Sequence, residues 1–138
     1  IRELLDATAS DLDTEAFVLV NGDVHEDHIL LIERDQGWVI TGLIDFGDAH
    51  VGVRDYEWMP LWLGLFDRDA GPWRAFIEAY DPVLLTEKEF PRRALAWTLL
   101  HDFGTDSIVE LIEAIGGAPK IDSLNELQEF LWPRTILG

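Results

Sequence analysis

The 138-residue sequence has no cysteine, which excludes disulfides, thiol nucleophiles and thiolate metal sites together. It is also poor in positive charge: 10 Lys and Arg stand against 27 Asp and Glu, a formal net charge of -17. A surface of that sign repels a phosphate backbone, so nucleic acid is excluded as the main partner, whereas cationic ligands and metal ions suit the field. No apolar run approaches the roughly 20 residues that span a bilayer, and the opening IRELLDATAS has neither the basic nor the long apolar region of a signal peptide. These absences lead us to expect a cytoplasmic protein with no membrane partner. What the sequence does have is apolar bulk. A hydrophobic content of 48%, with six Trp and seven Phe, is enough for one compact core. No internal repeat, low-complexity tract or linker divides residues 1–138, and a start at Ile1 within a helical pattern suggests a piece of something longer.

The patterning changes period once. After a short helical stretch at residues 2 to 9 and a polar interruption from Ser10 to Glu15, Phe17 to Val20 is a four-residue apolar run that suits a short buried strand. Ile29 to Ile32 and Trp38 to Ile44 are two more strand candidates, joined through ERDQG as a hairpin. From Arg54 onward the spacing is helical, beginning with an apolar helix through Tyr56, Met59, Leu63 and Phe66. Further helices are expected after Asp69-Ala-Gly-Pro72, after Thr86 with Glu89 at capping-box spacing, over Ser107 to Ile115, and from Leu124 to Trp132 behind the box Ser123 and Glu126. Trp58, Trp62 and Trp73 fall at core spacing and are assigned to the core. The fold class is α+β, mainly helical, with a small hairpin region followed by a helical bundle.

Chemistry converges on the stretch NGDVHEDHILLIERDQGWVITGLIDFGD, residues 21 to 48. A hairpin folding about position 36 sets residue 28 opposite residue 44, so His28 and Asp45 meet at one end of a small sheet, with Asp23 in the loop leading in. Two carboxylates and an imidazole just beyond apolar strands make a site geometry rather than a core geometry. Taken singly, Asp23 is equally a turn residue and Asp45 a strand-end cap.

The spacing resembles that of phosphotransferases of the protein kinase superfamily, in which a catalytic-loop Asp is followed five positions later by an Asn, then a hairpin, then an Asp before an aromatic and a Gly. LVNGDVHEDHILL and ITGLIDFGDAHVG are most similar to the aminoglycoside phosphotransferase branch, with H-G-D-x-x-x-x-N and I-D-W/F-G-D-A. VRDYEW is similar to its P-x-Y-D-L, which places Glu57 at the acidic position and makes it a candidate for substrate binding. The resemblance implies a kinase-like carboxy-terminal lobe in which catalytic Asp23 orients an acceptor hydroxyl. In the same scheme Asp45, with position 28, holds Mg²⁺ or Mn²⁺ against the phosphates of ATP or GTP. The implied acceptor is a small hydroxyl compound, with a cationic one such as an aminoglycoside suited to the charge.

Three departures bear on activity. Asn21 stands for the family's His, and His28 for its metal-binding Asn, so an imidazole nitrogen replaces an amide oxygen that Mg²⁺ would prefer. His28 is open to two roles, metal ligand or hydrogen-bonding partner of Asp23 that orders the loop. The sequence also holds no glycine-rich nucleotide loop ahead of Asp23, and its only lysines are Lys88 and Lys120, in helix-start and loop contexts. The expectation is a lobe that lacks its amino-terminal partner, binds ATP weakly and turns over little alone. One rival is a non-catalytic kinase-like binding module. Another is a non-haem Fe(II) oxygenase built on the H-x-D of His25 and Asp27 with His50 or His101, which demands a many-stranded barrel.

Overall fold

The computed structural model describes residues 2–12, 17–117 and 119–137. Within them the architecture is α+β and mainly helical, with two small antiparallel sheets. Helix α1 (Arg2–Leu12) precedes strand β1 (Val18–Val20); the interruption expected from Ser10 to Glu15 does not begin at Ser10, since α1 continues through Leu12, and residues 13–15 lie outside the described residues. Strands β2 (Ile29–Arg34) and β3 (Gly37–Leu43) form the expected hairpin around Asp35 and Gln36. The turn centre is half a residue short of position 36. A one-residue bulge at Thr41, whose hydroxyl donates to the Leu30 carbonyl at 3.2 Å, then moves the register so that Ile29 faces Leu43 and Ile44 N donates to His28 O at 2.9 Å. The pairing of 28 with 44 therefore stands, by way of a bulge.

A fourth strand, β4 (His50–Gly52), pairs with β1 and was not expected, because three residues beginning in His carry no legible alternation. β1 is also less buried than its composition suggests. Val20 is fully buried, but Leu19 is 70% exposed, since its sheet has only two strands and alternate side chains point away from the helices.

The apolar segment after Arg54 is not one regular helix. A 3₁₀ turn (Arg54–Glu57) leads into a π-type stretch (Pro60–Leu65), where Phe66 N reaches back five residues to Leu61 O at 2.9 Å. Pro60 has no N–H to give the ladder, which favours a change of pitch there. Helix α2 (Ala70–Tyr80) is capped by Asp69, whose carboxylate accepts from Gly71 N at 2.9 Å. Helix α3 (Phe90–Leu100) starts without the expected box: Thr86 donates to Val83 O, and Glu89 stands at the N-cap with no side-chain cap. Helix α4 (Gly104–Ala114) begins three residues before Ser107, and α5 (Leu124–Leu131) carries the Ser123 cap, with Glu126 N donating to Ser123 Oγ at 3.2 Å.

Helix α3 is the hub, packed against α1, α4 and α5. Its small residues Ala94 and Ala96 are buried and let neighbours approach closely. Trp58, Trp62, Trp73 and Trp132 fill the space around it, as assigned for the first three. Three of their four indole N–H groups are matched: Trp58 to Asp55, Trp62 to Leu131 O and Trp132 to Thr98 Oγ1. Asp55 is fully buried and held by Arg93 and Trp58. Burial opposes the Arg93 charge, yet its bonds to Glu87 and Asp55 prevail and raise its value. No described helix is long and apolar enough to cross a membrane.

Candidate active site

Strand β1 ends at buried Val20, and Gly22, at φ +82, turns the chain out of the sheet. A side chain at position 22 would also meet Tyr56 at 3.5 Å and the Asp48 carbonyl at 3.6 Å. The turn is held from beneath by Glu57, whose Oε1 accepts from the backbone N–H groups of Asn21 and of Gly22, the latter at 3.3 Å. Burial raises the Glu57 value, and the two bonds with the neighbouring His50 offset this only in part. The candidate substrate residue thus faces the back of the loop.

Asn21 is buried and joins the two acidic segments. Its Oδ1 accepts from Asp23 N at 3.0 Å, and its Nδ2 donates to Asp45 O at 3.0 Å. This bridge was missed by sequence reasoning, because one amide linking positions two residues and 24 residues away leaves no periodic trace. A 3₁₀ turn (Glu26–His28) next carries the chain into β2, closed by His28 N donating to His25 O at 3.1 Å.

His28 lies between the carboxylate-bearing segments. Its Nδ1 is 2.9 Å from the Asp23 carbonyl, which can only accept, so this nitrogen carries the hydrogen. Its Nε2 lies 3.7 Å from Asp45 Oδ2. The loop-ordering role is therefore realised through the Asp23 backbone rather than its carboxylate. Asp45 is mostly exposed and adopts φ 57, a conformation uncommon for a residue with a side chain, with Gly47 N donating to its Oδ1 at 3.3 Å. Asp23, His28 and Asp45 are thus brought together at one end of the β2–β3 hairpin.

Behind the loop, Tyr56 stacks on His101 with ring centroids 4.0 Å apart and accepts from Asp102 N through its hydroxyl. His101 Nδ1 accepts from Phe103 N, while its buried Nε2 makes no hydrogen bond of good geometry, although the Gly22 carbonyl is close enough to favour the charged ring. Burial prevails and lowers the His101 value. These aromatic supports come from positions 56 and 101, and only their helical context was legible.

The Mg²⁺ expected at Asp45 and position 28 would meet one hard carboxylate and one imidazole nitrogen. That donor pair fits a borderline ion such as Zn²⁺ better than it fits Mg²⁺, with Mn²⁺ between them. The oxygenase ligand set does not assemble: Asp27 is exposed, His25 groups with Asp23 and His28 instead, and the described strands form two two-stranded sheets rather than a barrel.

No curated protein and no solved structure matches the chain. A family model described as the phosphotransferase enzyme family matches residues 1–101, which include Asn21, Asp23, His28, Asp45 and Glu57. The chain belongs to that phosphotransferase enzyme family.

Proposed function

We propose that this chain is the kinase-like carboxy-terminal lobe of a small-molecule phosphotransferase, moving the γ-phosphoryl group of ATP or GTP to a substrate hydroxyl. The observation that carries this reading is the Asn21 bridge, which ties Asp23 and Asp45 to one rigid frame across 24 residues of sequence. Phosphoryl transfer asks little covalent chemistry of the protein and much positioning, so two carboxylates carried on one fixed backbone frame are the expected equipment.

Asp23 is the residue placed to orient the acceptor hydroxyl and receive its proton. Its carboxylate makes no hydrogen bond within the described residues and keeps its lone pairs for that purpose. Asp45 and His28 would hold a divalent cation, which supplies neutralisation of the donor phosphates. Glu57 acts as a positioning residue: it fixes the backbone of Asn21 and Gly22 and, through them, the direction of Asp23. The acidic surface favours a cationic acceptor, and the phosphate grip belongs to an amino-terminal lobe, without which turnover is low.

The test is nucleotide binding by calorimetry to protein carrying both lobes, with Mg²⁺ or Mn²⁺ supplied. Metal-dependent binding of ATP or GTP that is lost in Asp45→Asn supports the proposal, and nucleotide-blind behaviour in every metal overturns it.

A further inference from the structure

Three metal-ligating side chains converge beside the acceptor position. A carboxylate oxygen of Asp23 and one ring nitrogen each of His25 and His28 lie within 4.8 Å of one another, all partly buried. The local fold explains the meeting. His25 and His28 are three residues apart across one 3₁₀ turn, where side chains at that spacing eclipse, and their ring centroids are 3.7 Å apart. Neither the Asp23 carboxylate nor a His25 ring nitrogen makes a hydrogen bond or ion pair within the described residues. His28 is oriented as metal-bound imidazoles usually are, with Nδ1 committed to a backbone carbonyl and Nε2 making no hydrogen bond, its nearest acid being Asp45 Oδ2 at 3.7 Å.

We infer that Asp23, His25 and His28 form a binding site for a borderline divalent transition ion of the Zn²⁺ class. Two imidazoles and one carboxylate are donors that such ions take and Mg²⁺ does not favour. Ligand atoms around a tetrahedral Zn²⁺ are roughly 3.4 Å apart from its usual bond lengths, so side-chain rotation by about an ångström closes the set. The site differs from the one proposed at Asp45 and His28 in using His25 and the Asp23 carboxylate. Its consequence rests on the phosphotransfer reading: an ion held there occupies the carboxylate that orients the acceptor, so Zn²⁺ opposes transfer where Mn²⁺ supports it.

The experiment is Zn²⁺ titration of the chain by isothermal calorimetry without nucleotide or acceptor, joined to X-ray absorption at the zinc edge. We expect one Zn²⁺ per chain, retained in excess Mg²⁺, with two imidazoles in its shell. Affinity should fall by at least about tenfold in His25→Ala and in Asp23→Asn, since loss even of a group supporting a ligand costs that much. Asp45→Asn should weaken it less than either substitution, since Asp45 is not one of the three converging ligands. The inference is overturned by fewer than one Zn²⁺ bound, by fewer than two imidazoles in the shell, or by affinity that follows Asp45 and ignores His25. Because no nucleotide is present, a failed phosphotransfer assay leaves this result intact, and the reverse also holds.

Discussion

Glu57 offers the sharpest stability test, because its effect on the loop can be worked from individual bonds. Glu57→Ala removes the acceptor for two successive backbone N–H groups, of which the Asn21 one is buried and the Gly22 one is longer, at 3.3 Å. An unpaired buried donor costs about 1–3 kcal/mol, and the longer bond adds a fraction of that. The truncation also removes a carboxylate that burial makes unwelcome, which returns part of the loss. The net expectation is about 2 kcal/mol of destabilisation at neutral pH. Glu57→Gln keeps a carbonyl oxygen where Oε1 sits and should stay within about 0.5 kcal/mol of wild type, as a substitution that leaves no donor unpaired. Urea unfolding followed by the fluorescence of the six tryptophans measures both. Amide exchange at Asn21 and Gly22 should quicken about thirtyfold in the alanine variant if the loss is local. The pH dependence gives an independent sign. With its folded-state value raised above 4.5, Glu57 contributes stability that is complete below 4.5 and is lost as pH rises through the folded value. Wild type should therefore lose ground to Glu57→Gln as pH rises through that window. An alanine variant within about 0.5 kcal/mol of wild type, or a glutamine variant as damaged as alanine, would refute the reasoning.

Other expectations follow from packing and burial. Asp55→Ala leaves the Trp58 indole N–H unpaired and Arg93 with only Glu87, and should cost about 3 kcal/mol in urea unfolding, the low end for a broken buried pair. Gly104→Ala puts a Cβ 1.8 Å from the Thr98 carbonyl oxygen, so α3 and α4 must separate. A cost of about 3 kcal/mol in thermal or urea unfolding is expected, and an unchanged midpoint would contradict the close approach. His101 titrates with the opposite sign to Glu57. Its folded-state value lies below 6.5, so the unfolded chain takes up a proton that the folded chain refuses, and stability falls as pH drops through 6.5 toward that value. His101→Asn, which keeps an acceptor for Phe103 N, should flatten that slope in unfolding midpoints measured between pH 5 and 7, a range that brackets an ordinary histidine.

Legibility from sequence followed the range of the interaction. The hairpin and the meeting of His28 with Asp45 were readable because turn residues and strand alternation act within about 20 positions. The bulge at Thr41 was not, since one inserted residue leaves the apolar pattern nearly intact. The Ser123 cap formed and the Thr86 box did not. Thr86 spends its hydroxyl on the Val83 carbonyl, and Pro91 allows α3 to start at Phe90 with no side-chain cap. The apolar pattern after Arg54 marked burial correctly, with Trp58 and Trp62 in the core, but Pro60 changed the pitch of the backbone. At the candidate site, the meeting of the Asp23 and Asp45 segments at His28 was legible by spacing. The Asn21 bridge, the Glu57 anchor and the Tyr56–His101 stack were not, because each joins residues 24 to 45 positions apart through one side chain.

The central claim is that Asp23 orients an acceptor hydroxyl for phosphoryl transfer. Its most direct measurement is γ-phosphoryl transfer from labelled ATP or GTP to a panel of cationic and neutral hydroxyl compounds, by protein carrying both lobes, comparing wild type with Asp23→Asn. The account predicts that kcat falls by about 10²-fold or more, the usual contribution of a positioned proton acceptor, while KM for nucleotide is unchanged. Transfer that proceeds equally well in Asp23→Asn would contradict it.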